Sequence, residues 1–352
     1  MNVAFVVHRY DASEGTGGYV TELLPRVARE HEVTLYAADV VTPPPAGIRV
    51  VRVPAFRQPA IARILSFPRA FRRVAGTHDV VHAQGWVSEA ADVVTAHIVL
   101  GAWRDAARPA GALSRGERIA GRLVLAGERR LLRRAPHVIA PSRSAGDDIA
   151  RWYGRTGSVH VVPHGFTRRD VPARDRRAFD LPDDGFVALY VGDARKGLAT
   201  TIRAVAGTDA WLMVASHSPP APYHEIARTT GVDGRLRWAG PLADVGRAYA
   251  AADVLVHPTI YDTFGLAVAE AMVAGLPVIV SPRAGIVELL TDGEDGLVAH
   301  DLTATTAALG RLRRDPDLRR RLGAAAQRTA AAYTWDRTAA ATLSVYQQVR
   351  SR

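Results

Sequence analysis

Short apolar runs alternate with stretches whose apolar residues recur at helical spacing, and near the middle of the chain the whole pattern begins again. In the first half the runs fall at 3–7, 33–37, 48–53, 80–83, 93–96, 138–140 and 159–162. Each is short and continuously apolar, the form of a strand buried on both faces of a parallel sheet. Helical patterns lie between several of them. Leu23, Leu24, Val27 and Ala28 mark one, a Ser114–Glu117 capping box opens a second, and Pro141-Ser142 opens a third. A join at 163–182, rich in Arg, Asp and Pro, follows. Strands then resume at 186–191, 211–215, 235–239, 254–256 and 277–280, with helices at 196–206, 242–251 and 266–274. Such alternation predicts an α/β fold, a parallel sheet covered by helices on both faces. Its repetition within 352 residues predicts two doubly wound domains, one from 1–165 plus 335–352 and one from 166–334. The last helical stretch, 335–349, exceeds what the second domain needs and is expected to pack back on the first.

Composition narrows the function classes. No run approaches the ~18 apolar residues of a membrane span, and the N-terminus lacks a signal-peptide pattern, so a cytoplasmic protein is expected. Cysteine is absent, which excludes disulfides, a thiol nucleophile and Cys-ligated metal. The net charge of +10 is uneven: 1–165 carries 22 Arg against 14 acids, 335–352 a further +2, and 166–334 balances 20 basic with 20 acidic residues. Arg52, Arg57, Arg63, Arg69, Arg72 and Arg73 follow one another with no acid between them, and 104–134 holds 9 Arg and 3 acids. Apolar pairs at helical spacing, such as Ile61 with Leu65 and Ile119 with Leu123, accompany these runs. Two readings stand: a surface that meets an anionic membrane (at its inner face) or an acidic acceptor, and a solvated helix face in an arginine-rich chain. Lys196 is the single lysine; the other 44 basic residues are arginine.

Two loops carry candidate chemistry. Gly15-Thr16-Gly17-Gly18 lies between the first strand and first helix, where Gly17 and Gly18 would expose backbone N–H groups to a phosphate or simply make a tight turn. It is neither a Gly-x-Gly-x-x-Gly fingerprint nor a Walker loop. The stronger signal is Tyr261-Asp262-Thr263-Phe264-Gly265-Leu266, which leaves a strand and enters a helix carrying Glu270. N–H groups of Phe264, Gly265 and Leu266 at a helix start make an anion site, suited to a diphosphate. Asp262 and Glu270 would repel phosphate, so hydroxyl groups of a ribose and a sugar are their natural partners. The alternative is a surface Asp and a solvated helix Glu.

On these residues the chain resembles the retaining GT-B glycosyltransferases of family four, the group 1 type. Asp262 to Glu270 matches the E-x7-E motif with Asp in the first place. Gly17-Gly18, His31-Glu32-Val33, Pro141-Ser142, the Val161-Val162-Pro163-His164-Gly165 run, Arg195-Lys196-Gly197, Gly275-Leu276-Pro277-Val278 and Tyr333-Thr334-Trp335 resemble further segments in the same order. The resemblance implies two Rossmann-like domains facing a central cleft, a nucleoside-diphosphate sugar as donor (UDP- or GDP-sugar), transfer of a hexosyl group with retention, and no metal or other cofactor. It implies that Lys196 and Arg195 grip the departing diphosphate, that Gly192 opens their loop, and that Glu270 holds the ribose. Asp262 would orient the transferred sugar, Gly265 and Leu266 would meet phosphate through backbone, and His97 would lie near the reacting sugar. A structural histidine is the alternative for His97, and His82 reads as structural or acceptor-side. The usual arginine after the first glycine is Asp193 here. The acceptor has no readable motif, and no nucleic acid is expected. An epimerase-like or inverting GT-B protein, or a non-catalytic module binding an anionic surface, are the alternatives.

Overall fold

A computed structural model describes residues 1–56, 58–167 and 171–350. Arg57 of the arginine run, 168–170 of the expected join and the last two residues of 335–352 lie outside them. The chain divides into two compact units, Met1–Gly165 with Thr334–Arg352, and Phe166–Tyr333. The return to the first unit falls one residue earlier than expected. Thr334 caps the last helix, its Oγ1 accepting from Arg337 N at 3.3 Å, and so belongs with that helix.

The first unit runs β1 (Asn2–Tyr10), α1 (Gly15–Val27), β2 (Glu32–Val40), β3 (Arg49–Arg52), α2 (Ala60–Val74), β4 (Val80–Gln84), β5 (Val93–Thr95), α3 (Leu100–Ala107), α4 (Arg115–Arg134), β6 (His137–Ala140), α5 (Arg143–Tyr153) and β7 (Val159–Val161). All pairings are parallel, in the order β3-β2-β1-β4-β5-β6-β7. The second unit runs β8 (Val187–Val191), α6 (Leu198–Ala206), β9 (Trp211–Ala215), α7 (Ala221–Thr229), β10 (Leu236–Trp238), α8 (Gly246–Ala251), β11 (Val254–His257), α9 (Leu266–Val273), β12 (Val278–Val280), β13 (Leu297–Val298), α10 (Leu302–Arg314) and α11 (Pro316–Ala331). Its parallel order is β10-β9-β8-β11-β12-β13. The final helix, α12 (Trp335–Arg350), packs on the first unit.

Burial explains the continuous apolar runs. Val187 and Leu189 of β8 enter one core cluster while Ala188 and Tyr190 enter the cluster on the opposite face. With side chains alternating along a strand, both faces must then be apolar. In the first unit Val3, Phe5 and Val7 share a core with Tyr19 and Leu23 of α1 and with Trp335, Val345 and Tyr346 of α12.

Three expected elements start elsewhere. The Gly15–Gly18 segment is the first turn of α1 rather than a loop, Gly18 N donating to Glu14 O at 2.6 Å. A Cβ on Gly17 would lie 2.0 Å from Asp11 O, so this glycine lets the helix start close against the strand exit. The expected helix at 196–206 begins at Leu198, after a 3-10 turn Ala194–Lys196 in which the Arg195 amide donates to Asp193 Oδ1 at 3.0 Å. The one expected at 242–251 begins at Gly246, whose N–H is taken by Asp244 Oδ1 at 2.9 Å.

Candidate functional site

In the second sheet the strand order reverses direction between β8 and β11. Loops leaving the carboxyl ends of the two strands at such a switch diverge to opposite faces and open a crevice between them. The loop after β8 carries Gly192 to Gly197; the loop after β11 carries Pro258 to Gly265. Residues 61 to 66 positions apart are thereby brought together. Ile260 N donates to Lys196 O at 2.7 Å. A Cβ on Gly197 would lie 2.5 Å from Pro258 O, so glycine is required for the two backbones to approach.

The side chains meet at the same place. Lys196 Nζ donates to Asp262 Oδ2 at 2.9 Å, and His257 Nε2 lies 3.6 Å from that oxygen. Burial alone would raise the Asp262 pKa, but the Lys196 ammonium and His257 outweigh it and hold the carboxyl well below the usual range. Asp262 is also fixed through its backbone: its N–H donates to Arg283 O at 3.0 Å, and its carbonyl accepts from Gly285 N at 2.9 Å. The sequence showed Asp262 as a partner for hydroxyl groups and gave no sign of this ion pair.

Arg195 stands beside Lys196 but its guanidinium is held by Asp193, with Nη2 to Oδ2 at 2.7 Å and Nε to both oxygens at 3.1 Å. The aspartate that replaces the expected arginine thus partly neutralises its neighbour. Gly192 has φ +121°, a conformation that favours glycine, and its N–H donates to Ala215 O at 3.1 Å. Gly265 caps α9 with φ +111°. Leu266 begins that helix, half-buried. Phe264 departs from expectation: its N–H donates to Asp262 Oδ1 at 3.3 Å rather than pointing outward, and its ring is buried in the core. Glu270, half-buried on α9, accepts a hydrogen bond from Tyr249 of α8 at 2.8 Å and lines a small pocket with Thr167, Val171 and Val273. Sequence reading missed both Tyr249 and His257, because neither lies in the motif that it completes.

The remaining expected residues belong to the first unit. Gly17 and Gly18 lie within α1, as described. His97, just after β5, bonds Gln84 Oε1 through Nε2 at 2.8 Å and stands edge-on to Tyr19. Loss of water around it pushes its pKa down to about 3, so the imidazole is neutral. His82 is fully buried, bonded to Tyr346 at 2.7 Å and Thr95 at 2.8 Å, and is structural. The helix after His97 is anchored by a buried pair: Leu100 N donates to Glu128 Oε2 at 2.9 Å and Gly101 N to Tyr153 Oη at 3.1 Å, while Tyr153 donates to Glu128. Burial pushes Glu128 up to about 7. Among the described residues no group of three or more His, Asp or Glu side chains is gathered to hold a metal ion.

The glycosyltransferase family 4 model matches residues 13–168, and the glycosyl transferases group 1 model matches 185–315. A D-inositol 3-phosphate glycosyltransferase of Salinispora tropica is 30% identical over 317 residues. That match takes in 78% of this chain, which spans just under two thirds, 64%, of the relative. Among solved structures, a sucrose-phosphate synthase from Thermosynechococcus elongatus superposes with a TM-score of 0.84 at 23% identity, covering 100% of this chain and 99% of the other. The Anabaena protein HepE, solved in complex with UDP-glucose, gives 0.73 at 16% identity, with 100% and 98% covered.

Proposed function

Because the chain belongs to the group 1, family 4 glycosyltransferases of GT-B fold, we propose that it moves a sugar from a nucleoside diphosphate to an acceptor hydroxyl, with retention and without a metal. The observation that carries this reading is the meeting of Lys196 with Asp262 at the switch point of the second sheet, one turn of chain before the Gly265 helix start. A diphosphate seated there would face the Lys196 ammonium, the Arg195 guanidinium and the amides opening α9. Positive charge fixed where phosphate negative charge develops stabilises the departing group. The two cations and the helix start supply the neutralisation that a divalent ion would otherwise give. Asp262, once Lys196 turns to phosphate, presents oxygens to sugar hydroxyls. Glu270, oriented by Tyr249, is placed to accept from a ribose. The departing phosphate would take the acceptor proton on the face from which it leaves.

A uridine donor is favoured by the UDP-glucose held by HepE, and a hexosyl group by the same likeness. Neutral His97, its Nε2–H given to Gln84 Oε1, carries its acceptor at Nδ1, which suits a sugar hydroxyl and places no fixed charge there. The acceptor is a hydroxyl compound of unassigned class, and peripheral association with an anionic membrane through the basic first unit would bring the protein to a lipid-linked one.

The test is donor hydrolysis with a panel of UDP-, GDP-, ADP- and TDP-sugars. Slow hydrolysis of at least one is expected, and Lys196→Ala should lower it about 100-fold or more, the scale of removing one electrostatic contact to a leaving group. Absence of binding and hydrolysis with every donor would sink the reading. Normal turnover by Lys196→Ala would sink the site.

A further inference from the structure

The seven arginines of α4 (Arg115, Arg118, Arg122, Arg129, Arg130, Arg133 and Arg134) are all exposed. None of them forms an ion pair among the described residues. Ile119 and Leu123 stand among them one turn apart, 73% and 65% exposed, two of the few large apolar side chains left in water. The helix has two acids, and both are turned inward. Glu117 is occupied by the Ser114 capping box and by Trp103 Nε1 at 2.7 Å, and Glu128 is the buried partner of Tyr153 and Leu100. The outward face is therefore acid-free along 20 residues, about 30 Å of helix. Beside it α2 exposes Arg69, Arg73 and Arg72, the last paired with Glu89 at 2.7 Å. Between the two helices lies a groove of about 670 Å³, lined by Arg69, Trp86, Leu123 and Arg130, with Glu89 its one acid.

A solvated helix gains nothing from two exposed aliphatics, and it normally interleaves acids with its bases. A face of arginines with aliphatics at its centre suits one kind of partner: an anionic bilayer. Its phosphates meet the guanidinium groups, and its acyl boundary takes the apolar side chains. A soluble polyanion would use the arginines and leave Ile119 and Leu123 idle.

We propose that α4, with the exposed arginines of α2 beside it, is the face by which the first unit docks on an anionic lipid surface. This rests on the proposed lipid-linked setting and gives it an element, but its test needs no donor chemistry.

The full chain is to be co-sedimented with vesicles of phosphatidylcholine alone and of an equal mixture with phosphatidylglycerol. Pelleting with the mixture only is expected, weakened at high salt because exposed charges are screened. Arg122→Gln/Arg129→Gln/Arg133→Gln should lower partitioning by about fivefold per arginine, roughly a hundredfold in all. Ile119→Ser/Leu123→Ser should lower it roughly tenfold and should abolish the part that survives salt. All five positions are exposed, so the thermal midpoint and donor hydrolysis in vesicle-free buffer should match the parent chain. A parent chain that pellets no better with the anionic vesicles overturns the proposal, and so does pelleting unchanged in the arginine variant. Binding to soluble heparin as tight as to vesicles, unaffected by Ile119→Ser/Leu123→Ser, also overturns it and assigns the face to polyanionic carbohydrate. Loss of donor hydrolysis with vesicle binding intact would count against the proposed reaction alone.

Discussion

Lys196 and Asp262 each hold the other's charge before any substrate arrives. In the proposed reaction an entering diphosphate would draw the ammonium away from the carboxylate, which would then have oxygens to offer elsewhere. Binding of phosphate and of sugar hydroxyls would then be coupled through this one contact. The pair also contributes to stability. The Asp262 pKa is depressed on folding, so its contribution is present above the ordinary carboxylate range and is lost as pH falls through the folded value. Asp262→Asn should therefore lower stability at neutral pH by about 1–2 kcal/mol, discounted for partial exposure of both partners, as read by urea unfolding. The difference from the parent should shrink in strong acid. An equal difference at every pH would show that the ion pair is not its source. Lys196 was legible because it is the only lysine in a chain that otherwise uses arginine. Its partner was not, since the contact spans 66 residues and depends on which two strands are neighbours.

At the scale of elements, every strand but the two-residue β13 was legible, as were the helix starts at Ser114, Ser142, Leu266 and Trp335, whereas those of α6 and α8 were not. Apolar runs report burial, and burial on both faces is what a doubly wound sheet requires. Helix starts are set by which groups take the first amides: Asp193 holds 194–196 in a 3-10 turn ahead of α6, and Asp244 takes the Gly246 amide four residues past the expected start of α8. Helix contacts also turn on glycines whose neighbours are distant in sequence. Gly127 is one: a Cβ there would lie 2.1 Å from the Trp86 ring, next to the groove between α2 and α4. Gly127→Ala gains helix propensity of about 1 kcal/mol but must displace an indole. A net loss of about 1–2 kcal/mol is expected in thermal or urea unfolding. A stabilised Gly127→Ala protein would mean that Trp86 moves aside freely.

Across the whole molecule, buried titratable groups set the response to pH. His8, His82 and His97 are each pushed down to about 3, with burial the largest cause. The unfolded chain protonates them near 6.5 while the folded chain does not, so their share of stability is present above 6.5 and is lost as pH falls toward 3. Glu128 works the other way. It is raised to about 7 from 4.5, so stability tied to its neutral form is full below 4.5 and declines as pH rises through 7. The thermal midpoint should fall by several degrees on acidification below 6.5, and Glu128→Gln should gain on the parent between pH 5 and 8. A midpoint that stays flat between pH 6.5 and 4 would contradict the burial of neutral imidazoles.

The return of α12 to the first unit has an electrical consequence. With α12 the whole stretch 334–352 brings two surplus positive charges to the eight already there, while Phe166–Tyr333 balances to zero. The entire net charge of the protein is then carried by one of its two units. Such a body is a permanent electric dipole. Within about a Debye length, ~8 Å in physiological salt, an anionic surface exerts a torque on it as well as a pull. On the proposed docking, the first unit is the one drawn to the surface before any side chain touches.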